Sequence, residues 1–322
     1  MVEHTVAATN AIVTLDVPIP EVIWGWMITL NMWAKSIGTG VVFIGAYLLA
    51  RYNDKVGEEV KFWMPLISFV FLNIFLLFTL LDLHQPLRMW HIFVYPHFTS
   101  AITVGAWMAT LFTGIIFIMM LIALKNFAKK HEDKMPRFVR ELTKKCEVLS
   151  DSLYSPLLKA AVVLAVPVTM YTATIMGEAT ARELWQTPTE LVQMMLAALL
   201  TGSAVFLIIG GKWGYEIKRD LAIILGVSAF LSFTIYMGEY YFGHMKAEEV
   251  AAILAYVKEH GAYHAMFWAG QWLAFIIPMI LVYFSLKSRS ASLLYLASVS
   301  AIVGLYITKH VWLIIPQLLP LS

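Results

Sequence analysis

The sequence predicts an all-α polytopic membrane protein with eight transmembrane helices. Of its 322 residues, 60% are hydrophobic and only 14% are charged, whereas a soluble domain carries about 25% charged residues. Several apolar runs are longer than about 18 residues, which is enough to cross a hydrocarbon layer about 30 Å thick. An alternating apolar and polar pattern of period two is absent, which disfavours a membrane β-barrel.

The eight predicted spans follow one another along almost the whole chain. They cover residues 22–50, 63–83, 100–125, 156–178, 188–210, 219–242, 263–286 and 290–316. An even number of spans places both termini on the same side of the membrane. We expect an N-terminal tail over residues 1–21, a first four-helix bundle over 22–178 and a second four-helix bundle over 179–322.

The basic residues predict the orientation of these spans. Sixteen Lys and Arg residues fall on one side, in the segments 51–61, 125–155, 211–219 and 287–289. By the positive-inside rule, that side is cytoplasmic and both termini face outward. We therefore expect a multi-pass protein of the cell's inner (cytoplasmic) membrane. Its basic loops fit anionic membrane lipids and give no indication of nucleic-acid binding.

Helical patterns also occur between the spans. Residues 137–153 carry an apolar stripe opposite lysines, which predicts a helix on the inner membrane surface. Residues 246–259 predict a short helix on the outer side, because they group Val250, Ile253, Leu254 and Val257. At the start of the fifth span, Thr187-Pro-Thr-Glu190 has the pattern of a capping box with proline in the first turn.

Polar residues lie within the first and fourth spans, at similar depths. Asn31 and Lys35 are four residues apart and share a helix face, which Met27 continues outward. Asn31 is about 12 Å and Tyr171 about 10 Å below the outer surface. Glu178 lies further out on the face of Tyr171. Such groups within spans are costly and usually functional, so we expect them to meet.

An amide, an ammonium and a phenol in an apolar slot suit the head group of a quinone. Asn31 and Tyr171 can hydrogen-bond both its carbonyl and its hydroxyl form, and Lys35 could carry a proton. The alternative for Asn31 and Tyr171 is that they only hydrogen-bond neighbouring helices. For Lys35, the alternative is a buried ion pair with Asp82 or Glu178.

The second span ends in a loop rich in ionisable side chains. We expect Asp82 and His84 to lie near the bound quinone, and histidines suit proton exchange with the outer phase because they titrate near neutrality. A salt bridge between Asp82 and Arg88 is the alternative. The residues predicted to transfer protons are Lys35, Asp82, His84, Glu178 and Glu239.

Other redox centres are not expected in this chain. The single cysteine, Cys146, excludes an internal disulfide and a cysteine-ligated iron–sulfur cluster. Nearly all histidines fall in loops or at span ends, which disfavours a bis-histidine haem, and no metal site is predicted. No phosphate loop or dinucleotide fingerprint is present.

The loop after the second span also carries a family pattern. Its residues Asp82-Leu-His-Gln-Pro-Leu-Arg-Met-Trp-His91, followed by Ser100 and Gly105-Ala-Trp107, resemble the signature of the NrfD/PsrC family, the polysulfide-reductase type of membrane subunit. Gln85 departs from it, since the family usually has arginine there. Weaker matches are Tyr171-Thr-Ala, Ala181-Arg-Glu-Leu-Trp185 and Leu200-Thr-Gly-Ser-Ala204. The resemblance covers the whole chain.

The resemblance implies a membrane anchor that exchanges electrons between menaquinone or ubiquinone and a ferredoxin-like iron–sulfur subunit. A molybdopterin catalytic subunit would complete the complex on the outer, periplasmic face. Iron–sulfur clusters and molybdopterin would then belong only to the partner subunits. Dimerisation of the complex is left open, as are the terminal substrate and the direction of electron flow.

The resemblance also implies roles for particular residues. The family's quinone pocket uses polar residues of spans one and four, including a tyrosine that Tyr171 matches. Asn31 matches on the first span, and Lys35 stands where a histidine would be expected one turn deeper. A partner-facing loop would contain Arg88, Trp90 and His91. A transporter or ion-translocating subunit, and an anchor without quinone chemistry, remain alternatives.

Overall fold

The computed structural model describes residues 22–130, 141, 146–180 and 182–319, and all regular structure within them is helical. The long helices are α1 (Trp26–Asp82), α2 (Ala101–Lys130), α3 (Tyr154–Glu178), α4 (Thr187–Ile209), α5 (Tyr215–Phe242), α6 (Glu248–Lys258), α7 (Ala262–Ser288) and α8 (Ala291–Ile314). Within the described residues, seven helices are long and apolar enough to cross a membrane, and α6 is not among them. The predicted tail, residues 1–21, lies outside the described part.

Helix α1 has 57 residues and contains two arms that lie side by side in opposite directions. Tyr52 interrupts it with non-helical angles, φ −131° and ψ 23°. Asn31 Nδ2 donates to the Phe75 carbonyl at 3.0 Å, and Ser68 Oγ donates to the Gly38 carbonyl at 2.8 Å. In a straight helix, Asn31 and Phe75 would be about 66 Å apart. The first two predicted spans therefore form the two arms of α1.

The bend at Tyr52 is held by the beginning of α5. Asp220 Oδ2 accepts hydrogen bonds from the hydroxyls of Tyr47 at 2.9 Å and Tyr52 at 2.7 Å, and lies 3.3 Å from Arg51 Nε. The side chain of Asp220 is only 11% exposed. A carboxylate shielded from water depends on such donors, so these contacts fix the two arms relative to α5.

Replacing Asp220 with alanine is expected to lower the free energy of unfolding by about 2 kcal/mol, because both tyrosine hydroxyls lose their acceptor. The midpoint of thermal denaturation in detergent measures this. Glu216→Ala is the matched control, since Glu216 forms an exposed ion pair with Lys55, worth less than about 1 kcal/mol. Equal losses in both variants would contradict the role of Asp220 at the bend.

The first arm of α1 also packs closely against α4. An added Cβ on Gly40 would lie 2.1 Å from the Ala198 carbonyl oxygen, and one on Gly202 would lie 2.2 Å from the Gly40 carbonyl oxygen. The Thr201 hydroxyl donates to the Ser36 carbonyl at 3.0 Å across the same contact. The backbones of α1 and α4 thus approach each other as closely as glycine permits.

The predicted features between the spans have different outcomes. The helix predicted within residues 246–259 is confirmed as α6, which buries all four of its predicted apolar residues. For 137–153, residues 137–140 and 142–145 lie outside the described part. Residue 141 is helical. The α-helix prediction is wrong for 146–153, which contain the three-residue 3₁₀ helices Cys146–Val148 and Asp151–Leu153.

The predicted capping box at the start of α4 stays a prediction, because the side chain of Thr187 lies outside the described part of the structure. Pro188 lies in the first turn as expected, but none of the described side chains caps this helix. Instead, the Glu190 carboxylate accepts a hydrogen bond from Trp312 Nε1 of α8 at 2.9 Å. A tertiary partner therefore binds the carboxylate that the local pattern assigned to the helix start.

Candidate functional site

Lys35 lies at the centre of the candidate site, completely buried in the first arm of α1. Its ammonium donates a hydrogen bond to the Thr172 hydroxyl of α3 and lies 4.4 Å from the centroid of the Tyr171 ring. A cation in this position is attracted by the ring face. Among the described residues, Lys35 forms no salt bridge, so neither Asp82 nor Glu178 neutralises it.

Tyr171 is half-buried and covers Lys35. Its ring meets α2 at Gly105, where an added Cβ would lie 2.5 Å from Tyr171 Cδ2. The Phe75 ring of the second α1 arm packs against it in a T-shaped arrangement, with the ring centroids 6.2 Å apart. Gly105 belongs to the Gly-Ala-Trp pattern of the sequence, and its missing side chain leaves the space that the Tyr171 ring occupies.

Asn31 joins the two arms of α1. Its Nδ2 donates to the Phe75 carbonyl at 3.0 Å and to the Thr79 hydroxyl at 2.5 Å, and the residue is 4% exposed. These bonds correspond to the alternative in which Asn31 bonds a neighbouring helix. Phe75 connects the site, because its carbonyl binds Asn31 and its ring lies 6.0 Å from the Lys35 ammonium.

The other expected site residues lie nearer the ends of α1 and α3. Met27 is half-buried, one turn outward from Asn31. Asp82 ends α1, is half-buried and experiences the charge of His84. Glu178 ends α3 and is exposed. Within the described residues no salt bridge joins Asp82 to Arg88, so that alternative does not form.

The loop between α1 and α2 presents a large exposed surface beside these groups. Every residue from 83 to 91 is exposed. Leu87 is 90% exposed and Trp90 52%, and the Trp90 ring contacts the His91 ring at 4.0 Å. Large apolar side chains exposed together usually mark an interaction surface.

Arg182, which belongs to one of the weaker family patterns, joins two segments of the backbone. Its Nη1 donates to the carbonyls of Pro316 at 2.5 Å and Leu319 at 2.7 Å. Burial lowers the pKa of its guanidinium, and the nearby Glu249 carboxylate partly offsets this. Arg182 thereby holds the segment after α8 against the loop that precedes α4.

A second group of buried ionisable side chains lies between α4, α5 and α8. Glu190 is 3% exposed and Lys309 is 4% exposed, and each experiences the charge of the other. Glu239 pairs with Lys246 at 2.6 Å, in the half of the protein that does not contain Tyr171. The sequence places Lys309 within a predicted span but indicates no role for it. Glu190 was interpreted as part of a capping box, so the sequence did not indicate its burial.

A cavity of about 670 Å³ lies near the opposite end of α3. Among its lining residues are Trp63, Phe127 and Tyr154. Tyr154 is 17 residues before Tyr171 in the same helix, or about 25 Å along its axis. This cavity is therefore separate from the site around Lys35 and Tyr171.

Comparison with known proteins identifies the family. The model of the family "Polysulphide reductase, NrfD" matches residues 18–320. The sequence is also 26% identical over 278 residues to a subunit of the polysulfide reductase of Wolinella succinogenes, covering 81% of this protein and 83% of that subunit. The protein, which is a multi-pass membrane protein by its apolar helices, therefore belongs to the NrfD polysulphide reductase family.

Proposed function

We propose that this protein is the quinone-reactive membrane anchor of a multi-subunit respiratory oxidoreductase. The proposal depends on one observation above all: fully buried Lys35 contacts Tyr171 beneath an exposed outer loop. Family membership supports a redox setting, since the relative from Wolinella succinogenes is a subunit of a polysulfide reductase.

The side chains around Tyr171 fit a quinone head group. A phenol, an ammonium and a hydroxyl come together from Tyr171, Lys35 and Thr172, bordered by the apolar Phe75 ring. A bound menaquinone or ubiquinone would supply two-electron, two-proton chemistry. The residue Tyr171 is half-buried, whereas Lys35 and Thr172 are buried, and its hydroxyl is the group proposed to bind the head group directly. Asn31 would position the second α1 arm, because its Nδ2 already bonds that arm.

Proton exchange at the site would begin with Lys35. Its Nζ carries protons next to the Thr172 hydroxyl, and buried lysines can act as acids and bases. Asp82, His84 and Glu178 lie at the outer helix ends, where they would exchange protons with water. Met27 would contribute an apolar wall one turn outward from Asn31.

The exposed loop would bind the electron-transfer partner. Arg88, Trp90 and His91 are all exposed there, and aromatic and Arg side chains are enriched at protein interfaces. We propose a ferredoxin-like iron–sulfur subunit at this surface, with a molybdopterin catalytic subunit attached to it. These partners would lie on the periplasmic face of the inner membrane.

We further propose eight membrane crossings with both termini outside. The antiparallel arms of α1 would supply two crossings, and the six other apolar helices one each. Residues 22–178 and 179–322 would then contribute four crossings apiece, and residues 1–21 would lie on the outer side.

Tyr171→Phe tests the proposed function. It removes the hydroxyl but keeps the ring that fits against Gly105. Because one hydrogen bond to the head group is lost, quinone-linked electron transfer by the purified complex is expected to fall about 10-fold. Electron transfer between a soluble dye and the partner subunits should not change, because that reaction bypasses the quinone site. Tyr295→Phe is the matched control, since Tyr295 is 51% exposed on α8. Unchanged quinone-linked turnover in Tyr171→Phe would overturn the proposal.

A further inference from the structure

We infer that Glu190 and Lys309 form a proton relay between Lys35 and the outer aqueous phase. This inference rests on the proposed function, because it takes Lys35 as the proton carrier at the quinone site. The relay crosses from the half of the protein that contains Tyr171 to α4, α5 and α8. Four observations support it: the burial of the pair, its connection to Lys35, its exit to solvent and the unsatisfied polar atoms beside it.

The burial of Glu190 and Lys309 is not explained by a direct ion pair. Glu190 accepts a hydrogen bond from Trp312 Nε1 at 2.9 Å, and Lys309 Nζ lies 3.3 Å from Met194 Sδ. Their charges act on each other, yet within the described residues no salt bridge joins them. Thioether sulfur is a weak acceptor, so burial here is costly and indicates a function.

The pair is connected to the candidate quinone site. Lys309 is close enough to Lys35 for its charge to act on that ammonium. Met194, which faces Lys309 Nζ, belongs to a buried cluster with Met32 of α1 and Ala173 of α3. Ala173 adjoins Thr172, the hydrogen-bond partner of Lys35. The two buried lysines therefore flank one continuous packed region.

The other end of the relay reaches solvent. Glu190 experiences the charges of Glu239 and Lys246, which form an ion pair with distances of 2.6 and 2.7 Å. The side chain of Glu239 is 10% exposed and that of Lys246 is 28% exposed. Lys35 is completely buried, Lys309 and Glu190 are nearly so, and the pair of Glu239 and Lys246 is more exposed and reaches water. The Glu190 charge also acts on the buried hydroxyl of Tyr236.

Unsatisfied polar atoms lie beside the pair. Both amide atoms of Gln271 and the Thr308 hydroxyl are buried without a hydrogen bond to any described residue. Phe267 and Phe275, four residues on either side of Gln271, contact Trp312 and Tyr236 through their rings. Buried groups of this kind are normally satisfied by water. The π-helical turn Trp272–Ile276 begins immediately after Gln271, and such turns are frequent at functional sites.

The proposed step transfers protons only. When quinol is oxidised, a quinol O–H bond breaks and its proton replaces one that Lys35 releases through an N–H bond. The released proton replaces one on Lys309, and the proton that Lys309 gives up forms an O–H bond on the Glu190 carboxylate. Glu190 then returns the proton to water by way of Glu239. The second quinol proton follows the same path after Glu190 has released the first. The electrons leave separately, through the iron–sulfur partner, and the path runs in reverse when quinone is reduced.

Three variants of the purified complex test the relay: Glu190→Gln, Lys309→Met and the double variant. Glutamine can still accept the Trp312 hydrogen bond but cannot carry a proton as a carboxylate does. Each single variant is expected to slow quinone-linked turnover about 100-fold and to change its solvent deuterium isotope effect. Binding of a quinone-site inhibitor and dye-linked activity should be unchanged. Glu183→Gln, an exposed carboxylate on the same side, is the matched control.

The double variant separates a relay from a structural charge pair. Removing both charges usually restores stability that loss of one partner has cost. A structural pair therefore predicts that thermal stability and turnover both recover, which would overturn the relay. The relay predicts recovery of stability while turnover stays slow and the isotope effect stays altered. If a single variant does not fold, the double variant still decides between these outcomes.

The proposed function and the relay fail in different ways. The relay alone would be overturned if quinone-linked turnover is slow in Tyr171→Phe but normal in Glu190→Gln and Lys309→Met. Normal turnover in Tyr171→Phe would overturn the proposed function. Both proposals would be overturned if quinone-linked turnover is slow in Glu190→Gln but normal in Tyr171→Phe, because Glu190 would then act away from the quinone site.

Discussion

Replacing Lys35 with methionine is expected to lower quinone-linked electron transfer at least about 100-fold, the range for losing a positioned acid or base. Methionine has a similar length but no ionisable group. The variant should still fold, since Lys35 is completely buried and no salt bridge within the described part of the protein includes it. Replacing such a charge by an apolar side chain is often neutral or stabilising.

The measurement compares quinone-linked and dye-linked activity of the complete complex. Lys159→Met is the matched control, because Lys159 is an exposed lysine near the other end of α3. It should retain both activities. Loss of only the quinone-linked activity in Lys35→Met would place Lys35 in the reaction. If Lys35→Met and Lys159→Met turn over quinone equally fast, Lys35 does not take part in the quinone reaction.

Depth along a helix made part of this site predictable from sequence. Rise per residue placed Asn31 and Tyr171 at nearly the same height and Lys35 about one turn deeper, and the structure brings Lys35 and Tyr171 into contact. Height alone does not fix the rotation of each helix about its axis. The roles of Thr172 and Gly105 depend on that rotation, and neither residue is unusual enough in a span to attract attention.

Local patterns are limited where a distant residue competes for the same group. The pattern at the start of α4 assigns the Glu190 carboxylate to the end of its own helix. In the structure this carboxylate accepts a hydrogen bond from Trp312, which is 122 residues away in the sequence. The Lys309 charge that acts on Glu190 also comes from α8. The local pattern of α4 therefore gave no sign of the buried pair.

The first two spans illustrate the same limit. The sequence predicted a loop at 51–61 between them, whereas α1 continues through this segment with only Tyr52 outside helical angles. The polar residues of 51–61 are compatible with a helix, so composition alone could not locate the bend. Asp220 holds it through the hydroxyls of Tyr47 and Tyr52, a contact that depends on the position of α5.

Replacing Gly40 with valine is expected to lower the free energy of unfolding by more than about 3 kcal/mol. A Cβ at Gly40 would lie 2.1 Å from the Ala198 carbonyl oxygen and 2.9 Å from the Ala198 carbonyl carbon. These are backbone atoms, so no side-chain rotation relieves the overlap and the two helices must separate. The thermal midpoint and the yield of folded protein extracted from membranes measure the effect.

Gly114→Val is the matched control for Gly40→Val, because Gly114 lies in α2 with nothing within 4 Å of an added Cβ. It should change stability by less than about 1 kcal/mol. Equal stability of the two variants would show that the close contact between α1 and α4 is not required. The contact also matters for the relay, since α1 carries Lys35 and α4 carries Glu190. Separating these helices would lengthen the path between the two groups, so any folded Gly40→Val complex should also lose quinone-linked turnover.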